Sequence, residues 1–115
     1  MKKTLVALLI TLSSNAFAYT GNTLFSDLRS SRVENRLSAI MYIGGVVAGF
    51  QAAESLYAQQ IVPTICMPNS VTAEQLNDLV KNQLEINPET RHLLALHHIV
   101  YMLRQTFPCS KKQLP

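Results

Sequence analysis

Charge is scarce in this sequence. Asp, Glu, Lys and Arg make up 15% of its 115 residues, against 48% apolar. That balance is too apolar for a chain disordered by composition. Strand signals are also missing. No apolar–polar alternation is sustained, and no Asn-Gly or Asp-Gly turn separates β-branched runs. Nor is there a GxSxG, an HExxH or a glycine-rich phosphate loop. Internal repeats and low-complexity segments are absent too. These absences point away from an enzyme, a bound cofactor and a β architecture.

The N-terminus reads as a signal peptide over residues 1–18. Met1-Lys2-Lys3 is a short basic region, Thr4 to Leu12 is apolar, and Ala16-Phe17-Ala18 is an A-x-A cleavage site before Tyr19. Nine apolar residues span about 14 Å as a helix, against about 30 Å of hydrocarbon, so a membrane anchor is disfavoured. No Cys follows closely enough for lipid attachment. The MKK start and short apolar region look bacterial, making the periplasm the expected address. Removing residues 1–18 leaves 97 residues, one small domain over 19–115. The mature chain carries 8 Lys+Arg against 7 Asp+Glu. With no basic stripe left, nucleic acid is not an expected partner.

Export also governs the two cysteines, Cys66 and Cys109. In an oxidising compartment they can pair within the chain in one way. A metal pair and free thiols are the alternatives. A zinc site needs three or four ligands, and no CxxC or HxxxH accompanies them. A disulfide is therefore the favoured reading. It would close a loop of about 43 residues, worth roughly 4 kcal/mol by chain entropy.

The mature chain reads as helices. Asn22 to Arg29 forms a short one, with Leu24 and Leu28 at i, i+4. Val33 to about Gln59 is the longest, with an apolar stripe of Leu37, Ile40, Met41, Gly44, Val47, Ala48 and Leu56. Pro63 and Pro68 break the connector from Ile61 to Ser70. A third helix begins at a Thr72–Gln75 capping box and carries Leu76, Leu79, Val80 and Leu84. Pro88 opens a fourth, whose stripe is Leu93, Leu96, Val100, Leu103 and Phe107. The expected fold is all-α: a small bundle of four or five helices stapled by one disulfide, which pins the connector to the end of the bundle.

Leu37 to Ala53 contains no charge. A membrane helix is one reading; a helix buried at the centre of the bundle is preferred. Gly45-xxx-Gly49, beside Gly44 and Ala48, then implies a closely packed backbone, because each helical glycine costs about 1 kcal/mol against Ala. His92, His97 and His98 do not share a helix face: five- and six-residue spacings put them roughly 120–140° apart. They read as surface or partly buried histidines rather than metal ligands.

Three segments in order resemble a known family. Tyr42-Ile43-Gly44-Gly45-Val46 is similar to its YI-x-GV segment. Ile65-Cys66-Met67-Pro68 with Val71-Thr72-Ala73-Glu74-Gln75-Leu76 is similar to IC-x-P…VT-x-x-QL. Asn87-Pro88-Glu89, His92 and Phe107-Pro108-Cys109 are similar to HPE…H…FPC. This pattern resembles the Rap1a/Tai family of immunity proteins over roughly Leu24 to Cys109. The resemblance implies a periplasmic, helical, non-catalytic protein that binds and blocks a peptidoglycan amidase toxin delivered by type VI secretion, and tends to dimerise. Cys66 and Cys109 match the family's second cysteine pair. The first pair is missing, with Leu28 near one position and Ala39 at the other. The expected toxin interface is the connector with the polar face of helix three: Glu74, Asn77, Asp78, Lys81 and Glu85. The alternative function is a periplasmic chaperone or envelope-stress binding protein. No membrane anchor is expected after signal cleavage.

Overall fold

A computed structural model describes residues 18–60 and 63–110; residues 1–17, on which the signal-peptide expectation falls, Ile61 and Val62 in the connector, and residues 111–115 lie outside them. Four α-helices form: α1 Gly21–Leu28, α2 Val33–Leu56, α3 Ala73–Ile86 and α4 Ala95–Thr106. A short 3-10 turn, Pro88–Thr90, follows α3. Among the described residues, extended pairing is confined to two isolated bridges, Thr20 with Leu94 and Ile65 with Pro108.

Local chemistry accounts for the ends of two helices. Thr20 Oγ1 accepts from the Thr23 amide and caps α1. At α3, the Gln75 amide donates to Thr72 Oγ1 while the Thr72 amide donates to Gln75 Oε1. This reciprocal box satisfies two amides that the helix start would otherwise leave unpaired.

The core draws on all four helices. Leu24 and Phe25 enter from α1, Ala39, Ile43 and Val47 from α2, Leu76, Val80 and Leu84 from α3, and Ala95, Ile99, Met102 and Leu103 from α4. Ile65 joins them from the connector. Each fully buried Leu or Ile contributes roughly 1.5–3 kcal/mol. Leu28 packs on this core and Ala39 is inside it. The Cys66–Cys109 disulfide forms, with the two Cα atoms 4.9 Å apart. It fastens the connector to the end of α4, where the Cys66 amide also donates to the Phe107 carbonyl at 2.8 Å.

Two expectations are corrected. The fourth helix starts at Ala95, not Pro88. Residues 91–94 run beside the N-terminal segment instead, where the Arg91 and Leu93 carbonyls accept from Asn22 and Gly21 and the Ala95 amide donates to the Tyr19 carbonyl. Those tertiary bonds occupy groups a continuous helix would pair internally. The buried face becomes Ala95, His98, Ile99, Met102 and Leu103, while Leu93 and Leu96 are exposed.

The second correction is that α2 is not the buried centre of the bundle. It buries only Ala39, Ile43 and Val47. Of the stripe read from sequence, Val47 alone is buried; Leu37, Ile40, Met41 and Leu56 are exposed. A helix apolar on every side has no pattern to choose its inner face. Among the described residues, a Cβ placed on Gly44, Gly45 or Gly49 would meet nothing within 4 Å, so these glycines are not packed against another described backbone. The tightly packed glycine is Gly21, which the sequence reading did not single out.

Candidate functional site

The residues expected to meet a toxin lie on one accessible surface. Glu74, Asp78, Lys81 and Glu85 are exposed along α3, and Asn77 is partly buried beside them. Glu74–Asp78 and Lys81–Glu85 are four apart, which sets them along one side of the helix. None of these charges forms an ion pair among the described residues, where the only one joins Arg32 to Glu34. The α3 face therefore presents side chains whose hydrogen-bonding capacity is open to a partner.

The connector runs directly into this face. Ile65 is buried and Cys66 is bonded, but Pro68, Asn69 and Ser70 are exposed. The Val71 amide donates to the Pro68 carbonyl, closing a turn just before the Thr72 cap. A protruding tip is thus held between a disulfide on one side and a capping box on the other. Such anchoring reduces the ordering entropy lost on binding.

Two hollows flank the tip. One, of about 380 Å³, lies between the start of α3 and the end of α4, lined by Val71, Gln75, Asp78, Leu79, Thr106 and Phe107. The other, of about 210 Å³, lies between the second half of α2 and the connector, with Phe50, Glu54, Ile65, Cys66 and Met67 in its wall. Asp78 thus stands at the rim of an apolar recess, an arrangement able to take a side chain with an apolar body and a polar end.

The three histidines do not share one helix: α4 begins at Ala95, so His92 lies before it and only His97 and His98 are on it. His92 and His97 are exposed, and His98 is buried. His98 Nε2 lies 2.9 Å from the Thr90 carbonyl; a carbonyl only accepts, so this nitrogen carries the proton. The ring supports the turn after α3. Among the described residues, no three of His, Cys, Asp and Glu are grouped to hold an ion.

Titratable groups perturbed by the fold lie elsewhere. Burial and the hydrogen bond to Asp27 push the Tyr19 phenol well above its usual range. Its hydroxyl donates to Asp27 Oδ2 at 2.8 Å, and its ring packs on Tyr42 with centroids 4.6 Å apart. Glu34 is held below the usual carboxylate range, first by its own backbone amide and then by Arg32. Sequence reading missed Tyr19, Gly21 and Arg91 because their partners are distant in the chain.

Two of the segments that carried the resemblance meet in space, where Ile65 pairs with Pro108 and Cys66 with Cys109; in the other, Tyr42 packs on Tyr19. Their roles here are packing and stapling. No curated protein and no solved structure matches the chain. A family model described as Rap1a immunity proteins matches residues 20–109, from the cap of α1 to the second cysteine of the disulfide. On that match, over a folded unit with the same limits, the chain belongs to the Rap1a immunity protein family.

Proposed function

We propose that the chain is exported to the periplasm, trimmed after Ala18, and there binds and occludes a peptidoglycan amidase delivered by type VI secretion. Membership of the immunity family carries this reading. The disulfide supports an oxidising compartment. Inhibition is by binding and needs no catalysis by this chain. The tip Pro68–Ser70 and the α3 face of Glu74, Asn77, Asp78, Lys81 and Glu85 form the interface, since they are exposed, contiguous and anchored at both ends. Affinity is nanomolar or better, about −12 kcal/mol, because an unbound toxin reaches the cell wall.

The outer face of α2 carries a homodimer contact in the same reading. Met41 is 75% exposed, and Val33, Leu37 and Ile40 lie beside it. Monomers rarely leave so much contiguous apolar surface in water. Gly44, Gly45 and Gly49 leave room for a second helix to approach closely. By length and composition α2 also qualifies as a membrane span, but its Ala39–Ile43–Val47 line is packed into the bundle. The same exposed face supports the second reading, a periplasmic chaperone that holds unfolded clients.

Co-expression with a candidate peptidoglycan amidase toxin, exported to the periplasm, separates these readings. Immunity predicts protection and a stoichiometric complex on gel filtration. Asp78→Arg or Lys81→Glu, with the fold intact by circular dichroism, abolishes protection if α3 is the interface. Lysis unchanged by the wild-type protein, with no complex, overturns immunity to that toxin. Binding to many unfolded proteins instead establishes the chaperone reading.

A further inference from the structure

Four of the chain's five arginines, Arg29, Arg32, Arg36 and Arg91, meet at the corner between α1, α2 and the turn after α3. An open hollow of about 510 Å³ lies there, with Asn22, Ser26, Ser31, Arg29 and Arg91 around Phe25. Ser30 completes the wall. It is also where the outer arginines attach: Arg36 Nη1 donates to the Ser30 carbonyl at 2.7 Å, and the Arg32 amide to Ser30 Oγ at 3.1 Å.

Two guanidinium groups share one aromatic ring. Phe25 is 6% exposed; Arg91 Cζ lies 4.1 Å and Arg29 Cζ 4.8 Å from its centroid. Cation–π attraction holds each charge near the ring but does not neutralise either. Arg91 is fixed further: its Nε and Nη2 donate to the Leu84 and Glu85 carbonyls at the end of α3. Arg29 has neither a hydrogen bond nor an ion pair from its guanidinium among the described residues. The Ser26 and Ser31 hydroxyls are likewise without a described partner.

All seven carboxylate side chains of the sequence fall within the described residues, and none lines this hollow. Asp27 is engaged by Tyr19, and Glu34 by Arg32. The acidic residues of α3 make no pair with these arginines. The corner therefore concentrates positive charge on a mature chain that is close to neutral overall. It offers the open fork of Arg29, the remaining Nη donors of Arg91 and hydroxyls, and no carboxylate lines it. Guanidinium forks match the planar geometry of a carboxylate, and a charge-assisted pair there relieves the repulsion between Arg29 and Arg91.

We propose that this corner docks an acidic segment of a protein partner, whose carboxylates take the open donors of Arg29 and Arg91. The further cation Arg36 at its edge, bonded to the Ser30 carbonyl and to no carboxylate, favours a segment with several acidic side chains over a single small anion. The proposal does not require that the partner be the amidase.

The test uses the purified mature protein and three probes. These are a capped peptide of alternating Glu and Gly, the same peptide with Gln for Glu, and inorganic phosphate alone. The Glu peptide is expected to shift the Arg29 Nε–H and the Arg91 Nη–H resonances, with binding that weakens as salt rises. Arg29→Gln, at an exposed position, should weaken that binding roughly fivefold or more. Arg91→Lys keeps the charge, loses the fork, and weakens it as well. Three results overturn the proposal. One is no shift with the Glu peptide, and another is equal binding of the Gln peptide. The third is phosphate binding the same arginines as tightly as the Glu peptide, which makes the corner a free-anion site.

Discussion

Gly21 and His98 are in such close contact that a side chain on Gly21 has nowhere to go. An added Cβ would lie 2.8 Å from both Nε2 and Cδ2 of the imidazole, and 2.8 Å from the Arg91 carbonyl. His98 is itself buried and bonded to Thr90, so it cannot swing aside without losing that bond. This contact joins the start of α1 to the face of α4 and to the segment that precedes it.

Gly21→Ala is accordingly expected to destabilise the fold by about 1–3 kcal/mol, the usual range for overpacking a closed site. Denaturant unfolding should show a lower midpoint at unchanged slope. A midpoint equal to that of the wild type would mean that the contact relaxes freely.

The glycines of α2 should respond in the opposite sense. Gly45→Ala adds a Cβ that meets nothing among the described residues, so the helix gains up to about 1 kcal/mol. Gly45→Leu should leave the monomer folded and block close approach of a second α2. Light scattering at micromolar concentration is expected to show a dimer for the wild type and a monomer for Gly45→Leu. A monomeric wild type across that range removes α2 as a dimer face.

The disulfide is expected to appear as a linked Cys66–Cys109 peptide pair in mass spectra of the unreduced protein. Cys66→Ser should cost about 2–5 kcal/mol. It should also loosen the Pro68–Ser70 tip, visible as faster amide exchange there. Two thiols open to alkylation in the unreduced sample would contradict the staple.

Tyr19 gives a pH signature. Its folded pKa is raised by burial and by Asp27, so the fold favours the neutral phenol. The stability this contributes is fully present below about pH 10, the unfolded value, and is lost as pH rises through the folded value. Tyrosinate absorbance per molecule at about pH 11 should thus be equal in the wild type and Tyr19→Phe. A smaller signal in the variant would show that Tyr19 ionises normally.

Helix α3 was legible almost to the residue. Its capping box needs only Thr72 and Gln75, three positions apart, and Leu76, Val80 and Leu84 make one stripe against a polar remainder. The disulfide was legible because a chain with only two cysteines has one internal pairing. The α3 surface was legible for the same reason as its core: charged residues at helical spacing fall opposite the apolar ones.

Other features were decided only by tertiary structure. In α2, Ala39 is fully buried while the larger Met41 is exposed; the side chains alone favour the reverse. The α1–α3–α4 packing surface chose which line of a uniformly apolar helix to cover. The start of α4 was set by backbone bonds to Tyr19, Gly21 and Asn22, some seventy residues away in the chain. Arg29 and Arg91 meet over Phe25 for the same reason. The sequence by itself determined what depends on neighbours within one helical turn and on the count of cysteines. Which faces are buried, which glycine is closed in, and which cations converge depend on segments brought together by burial, a term that local spacing does not contain.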